Sequence, residues 1–338
     1  MTLTASSRQY TKGQRLGELS LVRYIREEFA GNSKGLLVGI GDDAAVVQVS
    51  AGEKKLLAST DTMCEGVHFD LSFATAYQVG FKLVSVNVSD IYAMGGVPAW
   101  FLLTTSFPSG TSDNFAREFL SGVKDALERY GAALIGGDVT SCNSGIVVTG
   151  IALGFADAPI TRKGARPGDR IYVTGPLGDS ACGLELLKKI MAPVAIEKGE
   201  TLELPLPWLI MEPLLKRHLM PRVIKPANAS AATSMMDISD GLSLDLKRLC
   251  EESGVGARIH KGRIPMSAEM LHAAEFIDKD PLRLSLCGGE DYEYLFTYAG
   301  EIPSAHYVGD VTDRGLVLID KNGTPTDWMD CGYEHFQT

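Results

Sequence analysis

The chain has 338 residues, 45% hydrophobic and 22% charged, which is typical of a globular protein long enough for two domains. Its net charge of −10 disfavours a nucleic-acid backbone as the main partner, although bound metal ions would still permit a nucleotide substrate. The polar start lacks the apolar core of a signal peptide, and glycines and prolines interrupt the uncharged stretch 91–112, so we expect no membrane segment and a cytoplasmic location.

The N-terminal third alternates helix and strand patterns. Apolar residues at helical spacing predict a helix over 18–30. Short apolar runs predict three strands, at 36–38, 45–49 and 56–60. The last strand delivers Asp61 at its end. A helix from about 75 to 94, ended by Gly95 and Gly96, carries Asp90 in its last turns.

The next segment contains the clearest helix of the chain, over residues 113–130, with Gly131 as its C-cap. Its apolar stripe consists of Phe115, Phe119, Val123, Leu127 and Tyr130. Strands are predicted at 99–106, 132–135 and 146–155. The last two surround Asp138, which we place at a strand-to-loop junction.

A segment rich in turn residues and charge, 157–169, predicts a domain boundary. We therefore expect an N-terminal α/β domain over 1–156 and a C-terminal α+β domain over 157–338. The second domain is predicted to contain a strand at 170–174, a helix at 179–190, an insertion or lid at 191–208, a helix from about Leu242 to Ser253, and strands within 292–319.

Six acidic motifs place carboxylates beside Gly, Ser or Thr, mostly next to apolar runs. They are Gly-Ile-Gly-Asp-Asp at 39–43, Ser-Thr-Asp-Thr at 59–62, Ser-Asp at 89–90, Gly-Gly-Asp at 136–138, Asp-Ile-Ser-Asp-Gly at 237–241 and Gly-Gly-Glu-Asp at 288–291. Carboxylate and hydroxyl oxygens are ligands that Mg²⁺ prefers, and protein-bound Mg²⁺ commonly holds nucleotide phosphates. The motifs therefore favour Mg²⁺–nucleotide chemistry.

Each motif alone also has an ordinary structural interpretation. Asp42-Asp43 and Asp138 could lie in plain turns, and Asp61 could cap a turn. Ser239 or Asp240 could be the N-cap of the following helix. Asp90 and Asp237 lie among apolar residues and need specific partners, one of which is a metal. For His68 and Arg162, a structural or solvent-exposed role is somewhat favoured by the local sequence alone.

Several common site motifs are absent from the sequence. There is no H-E-x-x-H zinc motif, no G-x-S-x-G nucleophile elbow and no phosphate-binding P-loop motif. The six cysteines, at 64, 142, 182, 250, 287 and 331, form no C-x-x-C pair. They are predicted to be buried thiols in a reducing compartment.

Taken in order, the motifs resemble the thiamine-monophosphate kinase family over nearly the whole chain. The resemblance includes Glu65-Gly-Val-His-Phe69, Asn87-Val-Ser-Asp90, Met236-Asp-Ile-Ser-Asp-Gly-Leu242, Gly288-Gly-Glu-Asp-Tyr-Glu293 and Trp328…Gly332-Tyr333. Val139 departs from the usual Thr, Tyr294 replaces an aliphatic residue, and His218-Leu-Met-Pro-Arg222 looks shortened.

The resemblance implies the fold shared with aminoimidazole ribonucleotide synthetase, in which the N-terminal domain forms a β-barrel with the second copy of a homodimer. It also implies ATP-dependent phosphorylation of thiamine phosphate to thiamine diphosphate. The implied Mg²⁺ ligands are Asp43, Ser59, Thr60, Asp61, Asp90, Asp138, Asp237 and Asp240. The implied ATP contacts are Gly137, Asp138, Arg162 and Ser239, and the implied substrate contacts are His68, Glu290 and Tyr333.

The motifs contain no pairing of a base with an orienting group, and the implied reaction needs no general base because its acceptor is already an anionic phosphate. Two alternatives stay open at this point. One is another ATP-using member of the same superfamily, and the other is a non-catalytic Mg²⁺–nucleotide sensor.

Overall fold

The computed structural model describes residues 24–25, 27–29, 36–38, 46–47, 55–202, 206–227 and 229–334. These residues form two compact units. Unit 1 comprises the described residues up to Ile91, Gly96–Asp157 and Ile190–Glu200. Unit 2 comprises Tyr92–Gly95, Ala158–Lys189 and the described residues from 201 onward. Among all of them, no helix is both long enough and apolar enough to cross a bilayer.

Up to Asp157, the described elements are mostly strands. They are β1 (Leu36–Val38), β2 (Val46–Val47), β3 (Lys55–Cys64), α1 (Ala76–Ala93), β4 (Val97–Pro108), α2 (Asp113–Tyr130), β5 (Ala133–Cys142) and β6 (Val147–Ala156). Residues 24, 25, 27 and 28 are helical, and the rest of the helix predicted over 18–30 lies outside the described residues.

A four-stranded sheet with the order β3-β6-β4-β5 organises unit 1. Strand β3 runs antiparallel to β6, from the pair Lys55–Ala156 to the pair Cys64–Val147, and β4 runs parallel to β5. Side chains alternate between a buried and a more exposed face along β3, β4 and β6. This alternation decides which face each polar residue of the sheet occupies.

Helix α2 confirms the predicted stripe, because Phe115, Phe119, Val123, Leu127 and Tyr130 are all buried. The Ser112 hydroxyl accepts the Phe115 N–H at 3.2 Å, and Gly131 ends the helix in the left-handed conformation.

Two glycines bring helices α1 and α2 into backbone contact. A Cβ atom at Gly80 would collide with the carbonyl oxygen of Phe119, and one at Gly122 would collide with that of Tyr77. The two helices can therefore approach this closely only without side chains at these positions.

The segment Ile190–Glu200 packs within unit 1. The Gln78 side chain at the start of α1 donates to the Val194 carbonyl at 2.6 Å and to the Glu197 carboxylate at 2.9 Å. These contacts fix part of the region predicted to be an insertion or lid.

Unit 2 is built on a larger sheet. Its elements are β7 (Arg170–Val173), α3 (Asp179–Ile190), α4 (Trp208–Leu219), β8 (Ser234–Asp237), α5 (Leu242–Ser253), β9 (Gly256–His260), α6 (Ala268–Ile277), α7 (Pro281–Cys287), β10 (Tyr294–Tyr298), β11 (His306–Thr312), β12 (Leu316–Ile319) and β13 (Pro325–Asp327). The seven strands have the order β13-β12-β9-β11-β7-β10-β8. The apolar face of α5, with Leu242, Leu246, Leu249 and Cys250, is buried as predicted.

Candidate functional site

In unit 1, a hydroxyl on the sheet meets a carboxylate on the helix that covers it. Ser59 on β3 donates a hydrogen bond to the Asp90 carboxylate near the end of α1. Both residues are half-buried. Asp90 was predicted to need a specific partner, and Ser59 is one such partner.

Asp61 lies in the middle of β3, so the prediction that a strand ends there was wrong. Strand β3 continues to Cys64 because it pairs with β6 along its whole length, with Asp61 opposite Gly150. Asn87 of α1, which is fully buried, accepts the Asp61 N–H through its side-chain oxygen at 3.0 Å. The same amide donates to the Leu83 carbonyl at 2.8 Å, which fixes its orientation. Asn87 therefore positions Asp61, a role that sequence reasoning missed.

Asp138 also lies within a strand and not at a strand-to-loop junction, because β5 extends to Cys142. It pairs with Thr104 of β4, which pairs with Thr149 of β6, which pairs with Thr62 of β3. Residues directly opposite each other share a face of a sheet, so Asp138 lies in a row of three threonines. Thr60 shares this face, whereas Ser59 and Asp61 occupy the face that α1 covers. Gly137 allows close strand contact, since a Cβ there would collide with the Leu103 carbonyl oxygen.

The loop after β3 holds His68 in one ring orientation. The Cys64 N–H donates to Nδ1 of His68 at 3.0 Å. Because Nδ1 accepts, the neutral imidazole carries its proton on Nε2, which can act as a donor. Lys82, only 3% exposed on α1, donates to the His68 carbonyl at 3.1 Å. His68 is thus held from both its ring and its backbone.

In unit 2, the loop between β8 and α5 is organised around Asp245, which sequence reasoning also missed. One carboxylate oxygen of Asp245 accepts the N–H groups of Ser239, Asp240 and Gly241 at 3.0–3.1 Å. The predicted N-cap at Ser239 or Asp240 was wrong, since Gly241 occupies that position. Its φ of 116° is one that side chains rarely adopt.

Burial sets the electrostatics of this loop. Asp245 is fully buried, and desolvation raises its pKa to about 7, against the lowering effect of its N–H donors and of Arg248. Arg248 also donates to the carboxylate of Asp240. Asp237, at the end of β8, is 4% exposed. The loop therefore carries three carboxylates beside one arginine.

Glu290 lies in a strained segment. Its φ is 67° and that of Tyr292 is 50°, a conformation that non-glycine residues seldom adopt. Between them, the fully buried Asp291 accepts the N–H groups of Gly178 and Ser180 at 2.6 and 3.0 Å. The Glu290 carboxylate lies 3.2 Å from Nδ1 of the buried His218. Strain held in place by such contacts is typical of functional sites.

A disulfide bond joins Cys287 to Cys331, 44 residues apart, so the prediction that all six cysteines are thiols was wrong. Cys182 and Cys250 are buried thiols as expected, whereas Cys64 and Cys142 are only half-buried. No local spacing pattern announces a pair so far apart, so the sequence could not reveal the bond.

The disulfide closes what we call the three-segment cluster, formed by Ser239–Asp240, Cys287–Glu290 and Cys331–Tyr333. The Glu290 N–H donates to the Ser239 carbonyl at 2.8 Å, and the Tyr333 N–H donates to the Asp240 carbonyl at 3.0 Å. The cluster thus brings together Ser239, Asp240, Glu290 and Tyr333, four of the residues proposed from the sequence. The Tyr333 residue is 44% exposed.

The remaining predicted residues are less constrained. The side chain of Arg162 is exposed, and its carbonyl accepts the Ser253 hydroxyl at 3.0 Å. Asp43 lies outside the described residues. Within the residues that the structure does describe, no three His, Cys, Asp or Glu side chains form a group able to hold a metal ion.

Comparison with known proteins identifies the class. The family model described as AIR synthase related protein, N-terminal domain, matches residues 41–156, and that of the C-terminal domain matches residues 166–321. The chain therefore has the two-domain fold of the AIR synthase related proteins, as the sequence predicted.

Individual relatives narrow the assignment. Thiamine-monophosphate kinase of Aquifex aeolicus is 37% identical over 93% of this chain and 97% of that protein. A crystal structure of thiamine-monophosphate kinase from Stenotrophomonas maltophilia matches 90% of this chain and 97% of its own, with 30% identity and a TM-score of 0.76. The structure of AaThiL complexed with AMPPCP and TMP matches 96% of this chain and 100% of its own, with 33% identity and a TM-score of 0.72. The chain belongs to the thiamine-monophosphate kinase family, which confirms the resemblance.

Proposed function

We propose that this chain transfers the γ-phosphoryl group of ATP to thiamine phosphate, giving thiamine diphosphate and ADP. The observation that carries the proposal is the similarity, over 96% of the chain, to a structure complexed with AMPPCP and TMP. The direct test is ADP release when thiamine phosphate is added to the protein with ATP and Mg²⁺. Release of ADP that does not depend on thiamine phosphate would contradict it.

The proposed reaction needs no general base because of the phosphate group that accepts the transferred phosphoryl group. The second pKa of a phosphate monoester lies near 6, so thiamine phosphate is already an anionic nucleophile at neutral pH. We propose direct in-line transfer without a phosphorylated enzyme. Radiolabel from γ-³²P-ATP found covalently on the protein would refute that route.

The donor set of the chain fits Mg²⁺. Ser59 and Asp90 form a hydroxyl–carboxylate pair, and hard oxygens of this kind are what Mg²⁺ prefers. When bound, Mg²⁺ supplies charge neutralisation for phosphates that would otherwise repel each other. The residues that we propose to hold several Mg²⁺ ions are Asp43, Ser59, Thr60, Asp61, Asp90 and Asp138 of the N-terminal domain, and Asp237 and Asp240 of the C-terminal domain.

The backbone N–H groups of the loop before α5 are already hydrogen-bonded within the protein. Binding of a phosphate at this loop therefore requires a cation. Helix N-termini often bind phosphate through their N–H groups. Here the N–H groups of Ser239, Asp240 and Gly241 are directed at Asp245, so the loop presents side chains instead. A phosphate would approach Asp237 and Asp240 favourably only with a cation between them.

The remaining assignments concern the two organic substrates. We propose that Gly137, Asp138, Arg162 and Ser239 contact ATP, and that His68, Glu290 and Tyr333 contact thiamine phosphate. Nε2–H of His68 is suited to donate to a phosphate or ring acceptor, because Nδ1 is already engaged.

We also propose a homodimer in the cytoplasm, with residues 1–156 as the ATP- and Mg²⁺-binding domain and 157–338 as the C-terminal domain. Leu56 and Val97 both pair with Phe155, so the three residues lie in one row across the four-stranded sheet. Leu56 is 46% exposed and Val97 is 55% exposed. A second copy would bury such apolar residues. Analytical ultracentrifugation tests this, and a monomer at micromolar concentration would contradict it.

A further inference from the structure

Two half-cystines lie close in sequence to two residues that we assign to substrate binding, separated from them only by glycines. Cys287 is the last residue of α7 and is followed by Gly288, Gly289 and Glu290. Cys331 is followed by Gly332 and Tyr333. The disulfide holds the Cα atoms of Cys287 and Cys331 5.2 Å apart and so joins the Glu290 segment to the Tyr333 segment.

Gly289 and Gly332 allow the Glu290 and Tyr333 segments to pack directly against the loop before α5. A Cβ atom at Gly289 would crowd the Ser239 carbonyl oxygen, and one at Gly332 would lie 3.0 Å from the Asp240 carbonyl oxygen. Gly332 has a φ of 152°, which side chains rarely adopt. The cluster is thus packed backbone against backbone, with the disulfide as its covalent link.

Two of the three segments are also held by buried carboxylates. Asp245 holds Ser239 and Asp240, and Asp291 anchors the Glu290 segment to Gly178 and Ser180. The Tyr333 segment is tied covalently to the Glu290 segment by the disulfide, and to Asp240 only by the hydrogen bond from the Tyr333 N–H. Loss of the bond should therefore affect Tyr333 first and leave Ser239 in place.

We infer that the Cys287–Cys331 bond is a positioning element that holds Tyr333 against the Glu290 segment, so that its reduction weakens binding of thiamine phosphate but not of ATP. The inference rests on the proposed function, because it assigns these residues to that substrate. The bond acts through the position of Tyr333, and its own two cysteines are not among the residues assigned to the substrate.

The redox step is ordinary thiol–disulfide exchange with a dithiol reductant. One thiolate of the dithiol attacks one sulfur of the protein disulfide, which breaks the S–S bond, releases the other cysteine as a thiolate and gives a mixed disulfide. The second thiolate of the dithiol then attacks the dithiol sulfur of the mixed disulfide and releases the remaining cysteine. The dithiol becomes a disulfide and loses two electrons, and its two protons end on the sulfurs of Cys287 and Cys331. Both cysteines are half-buried, which leaves them partly accessible. Burial raises the pKa of both Cys182 and Cys250 to about 12, so these two stay protonated and do not compete.

The test is steady-state kinetics of the full-length protein with and without excess dithiothreitol, with the thiols counted by alkylation and mass spectrometry. Reduction should raise the KM for thiamine phosphate on the order of tenfold, the effect expected when one or two side chains must be ordered again on binding. The KM for ATP and kcat should change less than about twofold, because a substrate-specific loss of preorganisation acts on one KM. Removal of the reductant and reoxidation should restore the original KM.

Two variants distinguish a specific effect on the position of Tyr333 from a general loss of stability. The double variant Cys287→Ser/Cys331→Ser should show the raised KM and no response to dithiothreitol. Tyr333→Ala should also raise the KM, and dithiothreitol should add nothing further, because both changes remove the same contact.

Failure of the positioning role and failure of the proposed function would give different results. No thiamine-phosphate-dependent ADP from the oxidised protein would refute the function itself. Normal activity with the same KM in both redox states would overturn the positioning role. Free thiols at Cys287 and Cys331 in air-oxidised protein would also overturn it.

Discussion

The Ser59 hydroxyl donates a hydrogen bond to the Asp90 carboxylate, which lies 31 residues further along the chain. The pair joins strand β3 to helix α1. If the two oxygens act together on Mg²⁺, their substitutions should not be additive. We expect Ser59→Ala and Asp90→Asn each to raise the Mg²⁺ concentration needed for half-maximal activity, and the double variant to fall short of the sum by about 1 kcal/mol. Magnesium titrations of ADP release measure this, with Ser144→Ala, an exposed hydroxyl of the same unit, as control. Additive effects would show that the two oxygens do not act together on Mg²⁺.

Asp61→Asn should lower turnover by orders of magnitude while the protein stays folded. The substitution removes a carboxylate proposed to hold Mg²⁺, and it leaves the backbone N–H that Asn87 accepts unchanged. Turnover at saturating Mg²⁺ and circular dichroism measure the two effects. Asp157→Asn, at an exposed position of unit 1, is the matched control. Near-normal turnover of Asp61→Asn would mean that the site lies elsewhere.

His68→Ala should chiefly raise the KM for thiamine phosphate, because it removes the donor at Nε2. An effect of about tenfold is expected for the loss of one hydrogen bond to a charged group. His272→Ala, on the exposed face of α6, should leave this KM unchanged. An unchanged KM for thiamine phosphate together with lost ATP binding would reassign His68.

Asp245 should give the protein a distinct pH dependence of stability. Burial raises its pKa from 3.8 to about 7, so between these values the folded protein retains a proton that the unfolded chain releases. The contribution of Asp245 to the free energy of unfolding therefore falls as the pH rises through this window, by up to about 1.4 kcal/mol per pH unit, and levels off above it.

Asp245→Asn has no such proton, so the stability of the wild type relative to this variant should decline from about pH 4 to pH 7. Chemical denaturation at several pH values measures the difference. Asp313→Asn, exposed in the same unit, should show no such slope. A difference that rises with pH would mean that the hydrogen bonds outweigh burial.

Gly122→Ala should destabilise the protein by about 2 kcal/mol or more, because the new methyl group collides with the Tyr77 carbonyl where α1 and α2 cross. Activity should fall as well, since α1 carries Asp90. Thermal unfolding measures the first effect. Gly262→Ala has open space around the added atom and should change stability by less than about 0.5 kcal/mol.

Sequence patterns predicted the elements whose signals are local. The α2 stripe from Phe115 to Tyr130 was confirmed because helical periodicity directly reports which face is buried. The sequence patterns predicted no helix or strand within residues 256–287, where the structure has β9, α6 and α7. The hydrophobic runs there are short, and short apolar runs do not distinguish strand from helix.

The site depends more on distant partners, which a single sequence does not reveal. Asp61 and Asp138 lie within strands because the pairing continues past their partners Gly150 and Thr104, as far as Val147 and Pro108. Asp245 resembled an ordinary acid in the first turn of a helix, and Asn87 resembled an ordinary helix residue. Their roles follow only from contacts with backbone groups that the fold brings close. The assignments of Ser59 and Asp61 to Mg²⁺, and of His68 and Glu290 to thiamine phosphate, stay predictions.

The three N–H groups that converge on Asp245 also bear on the thermodynamics of binding. A flexible loop loses conformational entropy when a ligand orders it, at a cost of about 1–2 kcal/mol for each backbone residue fixed. Ser239, Asp240 and Gly241 are ordered before any ligand arrives, so that loss belongs to folding and not to binding. We expect calorimetry of nucleotide binding to show no large entropic penalty from this loop. Variants in which Asp245 is substituted should bind the nucleotide with lower affinity.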